Sequence, residues 1–382
     1  MKKIGCIAII MLPLFCIAQG KEDMIKKGWN MGVLPAVAYD SDLGIYYGII
    51  FNPFDYGDGS IYPNYFQSVY LQISGYSKGS SEHILEYESY NLIPGIKFFA
   101  RAKYLGYKAY PFYGYNGNES IYHHEWEDPD DPAYKSRMFY RIERKYLRVS
   151  ADLQDTIGDS KFQWRAGWAM GYYRTAPVNI EKMNMKLTGD KILPDTATLF
   201  EEYNDWDIIR DEEKDGGIVN NFMAGIIYDS RNKLTNPDNG IFTELNFRWM
   251  PSFLSKGGYS CFSIGLIHKQ YFTIVSRRLI LAYRLWLNAN ILDEQPFYTR
   301  QLLTNFTGNE GYGGSATLRG ALMQRIVTND FLLGTIELRS RLVNFQLIKQ
   351  NWYIGAVLFT DAGRILKTVK PDLNAVPDEY FP

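Results

Sequence analysis

About thirteen segments of strand character run through the chain, many alternating apolar and polar side chains with a period of two: 31–39, 43–51, 66–76, 81–91, 97–105, 137–150, 161–173, 218–229, 241–250, 259–273, 278–290, 330–343 and 350–361. Period two sends successive side chains to opposite faces of a sheet, and no stretch keeps a helical repeat long enough for a useful amphipathic helix. The chain is therefore expected to be all-β. In 278–290, Leu279, Leu281, Tyr283, Leu285 and Leu287 share one face while Arg278, Arg284, Asn288 and Asn290 share the other. In 330–343, Leu332, Ile336, Leu338 and Leu342 oppose Thr335, Glu337, Arg339 and Arg341; in 241–250, Ile241, Leu245, Phe247 and Trp249 oppose Glu244, Asn246 and Arg248. A soluble sandwich would bury the apolar face. A membrane barrel would turn it to lipid and turn the charges into a wet lumen. Alternation alone does not separate the two.

Strand length, aromatic content and a secretory leader favour the membrane barrel. Many segments have about the 9–11 residues that a tilted strand needs to cross a bilayer. Tyr, Phe and Trp number 30, 22 and 8 of 382 residues, with 33 Gly, which suits strands and turns. The 46% hydrophobic share is close to that of soluble proteins and implies no helical membrane bundle. A net charge of −1 offers no basic field for nucleic acid. Residues 1–18 read as a signal peptide: Lys2 and Lys3 give the charged start, Ile4 to Phe15 the apolar stretch, and Cys16-Ile17-Ala18 the cleavage region. The rival readings are a lipoprotein leader with Cys16 lipidated, against which Phe15 is bulky, and a membrane anchor, for which the run is short. The mature chain then starts at Gln19, and 19–382 form one barrel domain. Outside the leader Cys261 stands alone, so neither a disulfide framework nor a cysteine zinc site is available.

Connector lengths give an independent test. Outer-membrane barrels have short periplasmic turns and long outer loops. If the first segment starts on the periplasmic side, the even-to-odd connectors 92–96, 151–160, 230–240, 274–277 and 344–349 are periplasmic, and all are short. The long connectors 106–136, 174–217 and 292–329 all fall outside; only 52–65 is long for a turn. Bacterial single-chain barrels have even strand counts. Thirteen segments followed by the proline-containing tail Lys370 to Pro382 therefore lead to the expectation that C-terminal strands are missing from this sequence.

Several motifs then converge. Thr317-Leu318-Arg319-Gly320 resembles the aliphatic-Arg-Gly-aromatic motif of the BamA/TamA outer-membrane assembly family, the bacterial surface antigen superfamily. Phe359-Thr360-Asp361-Ala362-Gly363 resembles its Phe-x-Asp-x-Gly strand motif, and Thr335 to Leu342, containing Glu337, matches the strand between them. Tyr228-Asp229-Ser230-Arg231-Asn232, running on to Asn239-Gly240, resembles its Asp-(Ser/Thr)-Arg turn, and Phe112 to Asn118 its Phe-Gly-x-Gly-Asn element. The resemblance implies a sixteen-stranded barrel with about thirteen strands present here, and an Arg-bearing loop folded into the lumen. In that reading Arg319, beside Gly320, meets Glu337 and Asp361, with Gly363 nearby, and Arg319→Ala destabilises the barrel far more than Arg300→Ala. Ala321 departs from the family's aromatic. The resemblance also implies a weakly paired seam, whose first strand carries Met31, Val33, Val37 and Tyr39. Periplasmic POTRA repeats usually precede the barrel. About ten residues lie between Gln19 and the first segment, so separate periplasmic proteins or lipoproteins are expected to take their place.

Other motifs carry less. Gly75-Tyr76-Ser77-Lys78-Gly79 fits G-x-S-x-G, but no helix follows to make a nucleophile elbow. His123 and His124 with Glu125, Asp128, Asp130 and Asp131 read as a solvated acidic loop before a metal site. Asn305-Phe306-Thr307 fits a glycosylation sequon that means little in a bacterial barrel. The glycines at 308, 311, 313 and 314 lack a phosphate-loop lysine and suit tight turning. No catalytic residue, metal ligand or cofactor is assigned. The first function reading is a non-enzymatic outer-membrane factor in the lipid bilayer that inserts or exports nascent outer-membrane proteins, or moves lipid. The alternative is a passive or ligand-specific pore. An outer-membrane hydrolase comes third, lacking a convincing partner for His83, His123, His124 or His268.

Overall fold

The computed structural model describes residues 25–40, 43–114, 122–185, 187–234, 236–276, 278–300, 303, 306, 311–314, 316–328, 330–347, 350–369 and 374–380. The proposed leader lies outside them. Thirteen strands form: β1 (Trp29–Asp40), β2 (Gly44–Asp55), β3 (Gln67–Tyr76), β4 (Ser81–Ile93), β5 (Ile96–Pro111), β6 (Arg141–Thr156), β7 (Phe162–Ala176), β8 (Ile218–Asp229), β9 (Gly240–Met250), β10 (Ser260–Val275), β11 (Leu279–Glu294), β12 (Asp330–Leu347) and β13 (Gln350–Lys367). They make one antiparallel sheet in chain order. Among the described residues no pairing joins β1 to β13.

Each predicted segment meets one strand, and several strands run past the alternation because a paired neighbour carries the ladder onward. β5, predicted to end at 105, reaches Pro111 opposite Arg141. Conversely, 137–140 form a turn before β6, not strand.

The sheet is polar inside and apolar outside. Arg144, Arg148 and Asp152 on β6, Asn246 and Arg248 on β9 and Asn288 on β11 are buried, whereas Ile226, Trp249, Leu285 and Ile336 point out and are 46–52% exposed where a soluble core would hide them. This inversion selects the membrane barrel over the sandwich, since lipid accepts the apolar face. Several inner charges pair across the ladder: Lys97–Glu88 (2.6 Å), Arg101–Glu86 (2.5 Å) and Arg165–Asp152 (2.7 Å). Among the described residues no helix is long and apolar enough to span a membrane.

Described parts of the connectors 112–140 and 177–217, the Phe297 end of 295–329 and Tyr380 of the tail meet at one end. There Phe112, Trp126, Phe139, Phe200, Tyr203 and Phe297 form one buried cluster. The tail joins it: the Tyr380 ring lies 5.2 Å from Trp126 and 4.9 Å from Trp206, and its hydroxyl donates to Glu202 (2.6 Å). Two short helices stand in 177–217, α1 (Ile180–Asn184) and α2 (Leu199–Asp205). They were not legible as periodicity because they are five and seven residues long, below the window in which a helical repeat shows. A capping box starts α2: the Thr198 N–H donates to Glu201 Oε2 (2.8 Å) and Glu201 N–H to Thr198 Oγ1 (3.4 Å). Thr198→Ala is expected to cost roughly 0.5–2 kcal/mol locally, read as faster amide exchange across α2 with strand amides unchanged.

At the opposite end the β8–β9 turn is locked by Arg231, which donates to both Asp229 oxygens (2.9 and 2.6 Å) and stacks 4.5 Å from the Phe242 ring. Gly240 closes it at φ +105, where a Cβ would strike the Ser230 carbonyl.

Candidate lumen clamp

The candidate site is built on a two-by-two patch of the β12–β13 ladder. Thr335 pairs with Asp361 and Glu337 with Phe359, so register places all four side chains on the inner face. Arg319, from the 295–329 connector, lies over this patch. Its Nε and Nη2 donate to Asp361 Oδ2 (2.7 Å) and Oδ1 (2.9 Å), its backbone N–H to Asp361 Oδ2 (3.0 Å), and Nη1 to Glu337 Oε1 (2.9 Å). The guanidinium carbon sits 3.5 Å from the Phe359 ring centre. The strand wall thus supplies the aromatic partner that Ala321 does not. Glu337 is shared, its Oε2 accepting from Arg339 (2.9 Å). The fork on Asp361 is the strong, directional form of a charged hydrogen bond. The Asp361 side chain is 2% exposed and that of Arg319 24%.

Residues not assigned from sequence complete the anchor. Arg284, read only as an inward charge on β11, donates to the carbonyls of Ala316 (2.9 Å) and Thr317 (3.0 Å) and to Thr335 Oγ1 (3.1 Å). Thr317 Oγ1 bonds both Gly313 N–H and Gly313 carbonyl (2.9 Å each). Gly313 adopts φ +119 and Gly320 φ +92, conformations that L side chains rarely take. Gly363 makes room for Tyr312, whose hydroxyl occupies the place a Cβ would take. The ring of Tyr312 lies 4.6 Å from Phe331.

The connector crosses to the far wall. Phe306 packs against Ala169 of β7 and Met223 of β8, its carbonyl accepts from Arg148 of β6 (3.2 Å), and Arg165 stacks 4.3 Å from its ring. One loop touching β6–β8 and β11–β13 requires the sheet to curl around it. Aromatic Phe306 inside the sequon was the only available signal, and nothing in it pointed to β6.

The remaining flagged residues divide. Met31, Val33, Val37 and Tyr39 are 55–75% exposed on the outward face of β1. Arg300 is not a bare loop cation: it donates to Asp293 (2.9 Å), both side chains being largely buried. Both ring nitrogens of His123 are taken, Nδ1 by Glu125 Oε1 (2.8 Å) and Nε2 by the Glu379 carbonyl (3.0 Å). Among the described residues no group of three or more His, Cys, Asp or Glu could hold a metal. Ser77 sits on the β3–β4 hairpin, where its Oγ accepts from the Ile45 N–H (3.0 Å). Residues 115–118 of the Phe112 element, Asn305, Thr307 and Gly308 lie outside the described residues.

A sheet that is apolar outside, charged inside and crossed by its own loop defines a transmembrane β-barrel protein. The chain belongs to the Omp85 superfamily, whose domain matches residues 97–378. Its fold is similar to BamA from Haemophilus ducreyi lacking POTRA domains 1–3, with TM-score 0.53 and 15% identity over 90% of this chain and 58% of that one. CdiB from Acinetobacter baumannii aligns with TM-score 0.43 and 10% identity over 93% and 57%. The chain thus spans a little over half the length of these solved structures. No curated protein matches it in sequence.

Proposed function

We propose that the protein is a non-enzymatic outer-membrane factor that inserts or exports other proteins, or moves lipid, through a barrel plugged by the 295–329 connector. Membership of the Omp85 superfamily and the BamA-like fold support an outer-membrane insertion or secretion role. The observation that carries the reading is the clamped connector: Arg319 holds it on β12–β13 while Phe306 reaches β7 and β8. A passive pore would need that loop displaced. The strand edge of β1 is the second element. Pro35, which lacks an N–H, is tolerated at a sheet edge, and an edge offers backbone groups to an incoming strand. Clients would be nascent outer-membrane proteins. Separate periplasmic proteins or lipoproteins are the proposed docking partners.

A photoreactive residue at Val33 or Val37, with Leu285 in mid-sheet as control, tests this in pulse-labelled cells. Adducts with newly made outer-membrane proteins are expected at 33 and 37 and not at 285. Equal labelling at all three positions, or none, together with steady conductance in planar bilayers, would replace the reading with the pore.

A further inference from the structure

The geometry points to a second site: an outward-facing cationic cleft that binds the phosphate of a phosphorylated lipid headgroup in the outer leaflet. The cleft has a volume of about 420 Å3 and lies between the β3–β4 hairpin, the outer ends of β5 and β6, and the α1 segment. Strand register sets its facing. Tyr104 and Gly106 on β5 and Lys145 on β6 line it, and they alternate with Leu105, Arg144 and Tyr146, which are buried inside the barrel. The α1 segment folds down over the outside of the rim, where Val178, Ile180 and Leu193 pack on Ala109 and Met138, with Met183 and Leu187 against them. This roof keeps one wall of the cleft apolar. Met185, 70% exposed, stands among its lining residues.

Charge and depth fit the same ligand. Five lining residues are cations, Lys78, Lys108, Arg137, Lys145 and Lys182, against one carboxylate, Glu143, which pairs with Lys145 at 3.3 Å. Deeper on the outward surface, Ile73 and Leu85 are 51% and 48% exposed, as lipid-facing residues are. Two residues above Leu85, His83 stands opposite Ile73 on the ladder, and its ring stacks 5.9 Å from Tyr104, as amphipathic rings do at the edge of the hydrocarbon. Lys108 lies four residues further along β5, roughly 13 Å at about 3.3 Å per residue before strand tilt. The cations therefore stand at headgroup height, with an apolar wall for the rest of the lipid. A free anion would use the charges and leave that wall idle.

The test titrates the full chain in detergent micelles with bisphosphorylated lipid A, followed by native mass spectrometry. At about fivefold per surface cation, the triple variant K108Q/R137Q/K182Q is expected to bind roughly 100-fold more weakly. Glu143→Gln is expected to bind about fivefold more tightly, a sign that a folding defect would not produce, and the folded-band mobility of both variants on cold gels checks the barrel. Unchanged binding by the triple variant would overturn the site. So would equal binding of the dephosphorylated lipid. Displacement by inorganic phosphate at the concentration of the lipid would make it a free-anion site and overturn the lipid assignment.

Discussion

Arg319→Ala is expected to lower the barrel's stability by about 3 kcal/mol, the low end of the roughly 3–5 kcal/mol that breaking a buried ion pair costs, because about a quarter of the Arg319 side chain is exposed. The loss has three parts. Asp361 is left nearly buried without its fork, Glu337 keeps only Arg339, and the Phe359 ring loses its stacked cation. Arg319→Lys should recover only part, since an ammonium cannot reproduce the two parallel bonds to Asp361. The readout is the temperature at which the fast-migrating folded band disappears on cold gels. Lys214→Ala is the proper control, because its pair with Asp211 is open to water; no shift is expected. Arg300→Ala is a poor control, since Arg300 has a buried partner of its own in Asp293. An Arg319→Ala midpoint equal to that of Lys214→Ala would sink the clamp.

The second large effect is expected at Gly363. A methyl group there would overlap the Tyr312 hydroxyl and push the ring off Phe331, at a cost of about 1–3 kcal/mol for overpacking a tight contact. Tyr312→Phe alone should be mild, because the bond it removes, to the Leu332 carbonyl, is long at 3.4 Å. In combination, Tyr312→Phe should restore part of what Gly363→Ala loses, the ring carbon still being close. The double-mutant cycle reads this coupling on the same gels. Additive losses would mean that Gly363 serves the strand and not the loop.

Much of the site could be read from residue order, and the limits have a physical pattern. Arg319, Glu337 and Asp361 stood out by motif, yet their meeting depends on register: Thr335 opposite Asp361 and Glu337 opposite Phe359 put two carboxylates on one patch of the inner face. Arg284 was visible as an inward charge, but its two loop carbonyl partners belong to residues more than thirty positions away. Gly363 was flagged by its motif, but the room it makes could not be read, because that is defined by the hydroxyl of Tyr312 in another element. α1 and α2 escaped because caps and tertiary packing hold them, with too few residues for a repeat.

Alternation with period two determined by itself that the chain is a strand meander, and connector parity determined which end carries the long loops. Both are local properties, set by where each side chain points and how many residues join neighbouring strands. Which face meets lipid is not local, since a sandwich and a barrel share the same alternation. Only the tertiary structure decided it, by burying Arg148 and Asn246 while leaving Leu285 and Ile336 exposed, and by curling the sheet around Phe306 and Arg319 so that inner charges find partners instead of hydrocarbon.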